Sequence, residues 1–125
     1  MTRDEVLIRL WPSPQACSDA RHAVRDFCFS RGLADVAYDA ELLTSEVVSN
    51  AVRHSDGMLT ILVVQANNSL AVTVSDNNAV IPTVPVIGTD ALAEGGRGLR
   101  VLDALAGDWG ITPGSNGKTV WFRLP

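Results

Sequence analysis

Three groups of residues in this chain of 125 have the types and the spacing to do chemistry. Glu46, Asn50 and His54 recur at every fourth position within residues 41–54, Asp76 closes the apolar run 70–75, and Gly95-Gly96-Arg97-Gly98-Leu99 leads into an apolar-periodic segment. A carboxylate can accept or orient a proton. A carboxamide oxygen, helped by water and phosphate oxygens, can hold Mg²⁺. A glycine-rich turn entering a helix exposes backbone N–H groups and a positive dipole end, which suits phosphate. The cluster is not a dinucleotide fingerprint, because a long loop rather than a strand precedes it, and it lacks the Gly-Lys-Ser/Thr of a Walker loop.

These groups need elements to hold them. Residues 41–54 contain no Pro or Gly and carry recurring apolar positions, so they read as a helix of about four turns. At roughly 100° per residue, Leu43, Val47, Val48, Ala51 and Val52 share one face, Ser45, Ser49 and Arg53 share the opposite, water-covered one, and Glu46, Asn50 and His54 form a polar stripe on the shoulder. A carboxylate and a carboxamide half-turned toward a core need partners. Plain side-chain hydrogen bonds would serve as well as an ion, so this stripe acquires its meaning from the clusters downstream.

Residues 5–11 read as a first strand ending at Pro12. Ser13 caps a helix with Pro14 at its first position, running to a stop at Gly32. A short Ala34-Asp35-Val36 link then precedes the 41–54 helix. Residues 58–66 and 70–75 are strands joined by a turn at Asn67-Asn68-Ser69, since Asn tolerates positive φ. Residues 79–95, broken by Pro82, Pro85 and Gly88, form a long irregular loop of the kind that is usually functional. A helix from Leu99 to Ala106 and two strands, 109–112 and 119–124, complete the order. Hairpins with helices to one side predict an α+β fold: a two-layer sandwich whose mixed, mainly antiparallel sheet is covered on one face by helices, with residues 1–125 as a single domain.

Composition narrows the function classes. Apolar residues make up 46% and charged ones 19%, ordinary for a globular protein. A net charge of −4 argues against direct non-specific nucleic-acid binding. Cys17 and Cys28 lie eleven residues apart on one helix face, roughly 16 Å, too far for a disulfide. They read as buried small hydrophobes in a reducing compartment. No run is long and apolar enough to span a membrane and no signal-peptide core is present, so a cytoplasmic protein is expected. His22, between arginines, reads as a surface histidine.

Taken together, Glu-x-x-x-Asn on a helix, a strand-end Asp, a variable loop and Gly-x-Gly before a helix resemble the GHKL ATPase superfamily, and Gly117-Lys118-Thr119-Val120-Trp121-Phe122-Arg123-Leu124 matches its usual closing strand. The resemblance covers nearly the whole chain. The phrase Glu46-Val47-Val48-Ser49-Asn50-Ala51-Val52-Arg53-His54 looks most like small bacterial anti-sigma factors of the serine-kinase type, in which the ATPase domain stands alone. The resemblance implies that ATP and Mg²⁺ are the cofactors. It implies that Asn50 ligates Mg²⁺ and that Glu46 is the general base for a serine hydroxyl or orients water. Asp76 would accept a hydrogen bond from the adenine amine, with Thr119 supporting the same edge through water. Gly96 and Gly98 would let the backbone approach the phosphates, Arg97 would either neutralise phosphate charge or stand exposed on the lid, and Asn78 and Leu99 complete the nucleotide-binding set. His54 would pack under the helix end or touch the lid, which is residues 79–95. Asn78 stands where the family commonly has Gly; Asn reaches the left-handed region at modest cost.

The function implied is an ATP-binding anti-sigma factor that sequesters a sigma factor and phosphorylates a serine of an antagonist protein. Two alternatives follow from the same residues: a nucleotide-dependent or degenerate protein-binding module without kinase activity, and a detached histidine-kinase catalytic domain, which would need a separate phospho-acceptor helix pair. Partners would be proteins, with neither nucleic acid nor membrane. Many such proteins form homodimers through sheet edges, and Leu7, Trp11 and the apolar side of residues 14–31 could line either a core or such an interface.

Overall fold

The computed structural model of the chain describes residues 4–54, 57–76, 104–113 and 117–125. Alternating burial builds the sheet. In β2 (Leu59–Ala66) the residues Leu59, Ile61 and Val63 are buried while Thr60, Leu62 and Val64 are not. In β3 (Ser69–Ser75) the buried set is Leu70, Val72 and Val74. Asn67 and Asn68 join the two strands with φ of 55° and 66°, the pair of left-handed residues that a two-residue hairpin needs to match strand twist. β1 (Asp4–Leu10) flanks β2 at one edge. β5 (Lys118–Leu124) adds to β3, and β4 (Asp108–Pro113) closes the other edge, giving the order β1-β2-β3-β5-β4. Every described pairing is antiparallel.

Two helices cover one face. α1 (Pro14–Ser30) begins with Pro at its first turn. Ser13 holds the capping position in extended geometry, but its hydroxyl makes no capping hydrogen bond. Gly32, with φ +72°, turns the chain out of α1, and the Leu33 N–H donates to Cys28 O at 2.8 Å. That bond and the buried Leu33 mark a Schellman stop, which requires left-handed backbone where glycine has no steric cost. The stop is so tight that α2 (Ala34–His54) starts immediately. Residues 34–36, expected as a link, are therefore the first turn of α2, with Asp35 favourably placed at its positive end.

The core lies between the helices and one sheet face. Ala16, Ala20, Val24 and Phe27 of α1 and Ala37, Ala40, Leu43, Val47, Val48 and Ala51 of α2 are buried against the inward residues of β2, β3 and β5, with Phe122 fully enclosed. Alanine at five of these helix positions keeps α1 and α2 close. As a result Ser45 and Ser49 are half-buried rather than water-covered: the Cys17 thiol lies 3.9 Å from Ser45 O and bonds Ser49, and only Arg53 of that face is exposed. Both cysteines are free, Cys28 buried and Cys17 half-buried. His22 is exposed, as are Leu7 and Trp11. No described helix is long and apolar enough to cross a membrane. Of the expected 99–106 helix, Ala104 and Leu105 are helical and residues 99–103 lie outside the described residues.

Candidate functional site

Strand direction gathers the chemical groups at one end of the sheet. β2 starts there, a few residues after the end of α2. Thr60 of β2 pairs with Ser75 at the end of β3, Ser75 with Thr119 at the start of β5, and Thr119 with Thr112 near the end of β4. Antiparallel pairing thus brings the start of β2, the end of β3 and the start of β5 to a common rim.

On α2, Glu46 is half-buried and Asn50 is buried, one turn apart on the border of the face that carries Val47, Val48 and Ala51. Glu46 also lies close enough to α1 to act on Cys17. Burial raises the Cys17 thiol above its ordinary value; the Ser49 hydrogen bond and the charges of Arg21 and Arg53 oppose the shift, and Glu46 adds to it. His54 ends the helix, and its side chain lies outside the described residues.

Asp76 holds its place through β5. Its N–H donates to Lys118 O at 3.0 Å, and Lys118 Nζ donates to Asp76 Oδ2 at 2.9 Å. The two side chains are 2% and 1% exposed, so this is an ion pair withdrawn from water. Strand alternation explains it. Val120, Phe122 and Leu124 face the core, so Lys118 does too, and it brings its ammonium to the carboxylate. Thr119 falls on the other face, where its hydroxyl meets Ser75 Oγ at 3.0 Å. The structure therefore brings Asp76 together with Lys118 and places the Thr119 hydroxyl across the sheet from them. Lys118 carries no motif of its own, but the apolar residues at 120, 122 and 124 fix its face. Asn78, Gly96, Arg97, Gly98, Leu99 and the expected lid 79–95 lie outside the described residues.

The donor set suits a nucleotide-borne cation better than a resident one. Among the described residues no three His, Cys, Asp or Glu side chains group to hold a metal ion. One carboxamide with water and phosphate oxygens is how Mg²⁺ commonly binds beside a nucleotide, and the buried Asn50 provides that carboxamide.

An open antiparallel sheet covered on one face by two helices is the architecture of the histidine kinase-like ATPase domain. The profile of the histidine kinase-like ATPase domain matches residues 10–124, and the chain belongs to that family. Among solved structures, the RsbU and RsbW domains of Rv1364c from Mycobacterium tuberculosis match with a TM-score of 0.73 and 21% identity, over 97% of this chain and 32% of that one. The histidine kinase domain of a blue-light activated histidine kinase from Erythrobacter litoralis matches with a TM-score of 0.54 and 23% identity, over 87% of this chain and 58% of that one. This chain thus spans about a third and somewhat over half of those chains, and at such identities the likeness is one of fold. No curated protein sequence matches the chain.

Proposed function

We propose that this chain is an ATP-binding anti-sigma regulatory factor, which sequesters a sigma factor and, with Mg-ATP, phosphorylates a serine of an antagonist protein in the cytoplasm. The observation that carries the reading is the match of residues 10–124 to this ATPase family, in a chain with Glu46 and Asn50 one turn apart on α2 and Asp76 directly after β3. Asn50 would hold Mg²⁺ through its side-chain oxygen, and the ion would neutralise phosphate charge. Glu46 would take the serine proton. Asp76 would accept from the adenine amine, while Asn78, Gly96, Arg97, Gly98 and Leu99 would complete the nucleotide contacts. Thr119 would act on the adenine edge only by way of water and Ser75. Sigma factor and antagonist would compete for overlapping surfaces, with nucleotide state setting the balance.

Calorimetric titration with ATP, with and without Mg²⁺, tests the site. Magnesium-dependent binding is expected, lost in Asn50→Ala and retained in Glu46→Ala, with phosphate transfer to the antagonist abolished in Glu46→Ala. Binding that is unaffected by Asn50→Ala overturns the site. Intact binding with no transfer by the native protein selects the protein-binding module without kinase activity.

A further inference from the structure

Lys118 is the only lysine of the chain, every other cationic side chain being arginine. It is also among the most buried polar residues described, 2% exposed, on a strand whose other core-facing positions are Val120, Phe122 and Leu124. Its ammonium meets the carboxylate of Asp76 at 2.9 Å, and its carbonyl accepts the Asp76 N–H at 3.0 Å. One residue thus holds Asp76 at both backbone and side chain.

The chemistry of a carboxyl group depends on such a partner. An ionised carboxylate only accepts hydrogen bonds, whereas a protonated one donates as well. A carboxylate whose cation is removed also loses the contact that orients it. The distinction matters for reading a purine. The 6-amino edge of adenine offers a donor, and the 6-oxo edge of hypoxanthine offers an acceptor at the same place. An acceptor-only group prefers the first; a neutral acid satisfies either.

We infer that Lys118 is a positioning residue that fixes the orientation of the Asp76 carboxylate and thereby makes the site select 6-amino over 6-oxo purine nucleotides. The inference rests on the reading of Asp76 as the adenine acceptor proposed above, and adds the group through which that selectivity is set. Lys118 acts through Asp76 and needs no contact with the nucleotide.

The test compares the dissociation constants of ATP and ITP, which differ at the 6-position and in the hydrogen on N1, for the full chain and its variants in the presence of Mg²⁺. The native protein is expected to prefer ATP by about 10- to 100-fold, the range of one hydrogen bond to a charged group. Lys118→Met should bring the ratio close to one, chiefly by weakening ATP, with ITP changed less than about threefold. Lys118→Gln, which keeps a neutral donor and serves if the Met variant does not fold, should lower the ratio in the same direction. Asp76→Asn should collapse the ratio alone, and adding Lys118→Met to it should change the ratio no further. A folded Lys118→Met or Lys118→Gln variant that keeps the native ratio, or one that weakens both nucleotides equally, overturns the inference while leaving the Asp76 reading intact. A native protein that binds both nucleotides alike overturns the Asp76 reading itself.

Discussion

Breaking the Asp76–Lys118 pair has a thermodynamic consequence that can be sized from its burial. With side chains 2% and 1% exposed and an N–O distance of 2.9 Å, the pair escapes the screening that makes surface ion pairs nearly worthless. Removing one member of a buried pair costs about 3–5 kcal/mol, because the other charge loses its counter-ion in a place water does not reach. A domain of this length has a total stability of roughly 6–19 kcal/mol at ~0.05–0.15 kcal/mol per residue. Lys118→Met should therefore leave a folded but strongly weakened protein. At a urea slope of about 1.5 kcal/mol per M, the midpoint should fall by roughly 2–3 M with little change in slope. Adding Asp76→Asn removes the charge that has lost its counter-ion, so the double variant should recover at least about 2 kcal/mol of the loss. Lysine acylation gives an independent readout, since no other lysine competes: Lys118 should resist an amine-reactive reagent in the folded protein and react on unfolding. A loss under about 1 kcal/mol for Lys118→Met, or a double variant no more stable than the single, would show that burial does not govern this pair and would refute the reasoning.

Two further outcomes follow from packing and burial. A Cβ at Gly110 would meet Nε1, Cζ2 and Cε2 of Trp121 at 2.8, 2.9 and 3.0 Å, so Gly110→Ala should displace the indole, shift tryptophan emission and cost about 1–2 kcal/mol; unchanged emission and stability would refute the stacking, and a Trp121→Phe background should remove the spectral effect. Burial pushes the Cys28 thiol up from 9.0 to about 11, with Glu41 adding to the rise. The folded chain then keeps a proton that the unfolded chain loses above pH 9, so stability should fall as pH rises through that window and level off past about 11. The difference between native protein and Cys28→Ala, followed by urea unfolding from pH 8 to 11, should show this fall; parallel curves would refute it.

What could be read from the sequence was set by how local the information is. Residues 59–64 and 70–74 are runs rich in Leu, Ile and Val, and Asn67-Asn68 between them can take left-handed backbone, so the β2–β3 hairpin follows from neighbouring residues alone. The border position of Glu46 and Asn50 is likewise a matter of helical phase. Helical phase shows which residues share a face but not what covers that face, so phase alone sends Ser45 and Ser49 to water although α1 packs against them. The start of α2 at Ala34 was hidden for a similar reason: it depends on how tightly Gly32 and Leu33 close α1. Lys118 shows the limit most clearly. Its core-facing phase is written in Val120, Phe122 and Leu124, yet a lysine on that face makes sense only beside a carboxylate. Asp76 lies 42 residues earlier, and only the β3–β5 register makes the two neighbours. The identity of Asp76 as a chemical group is therefore legible in the chain, whereas its electrostatic setting is a property of the sheet.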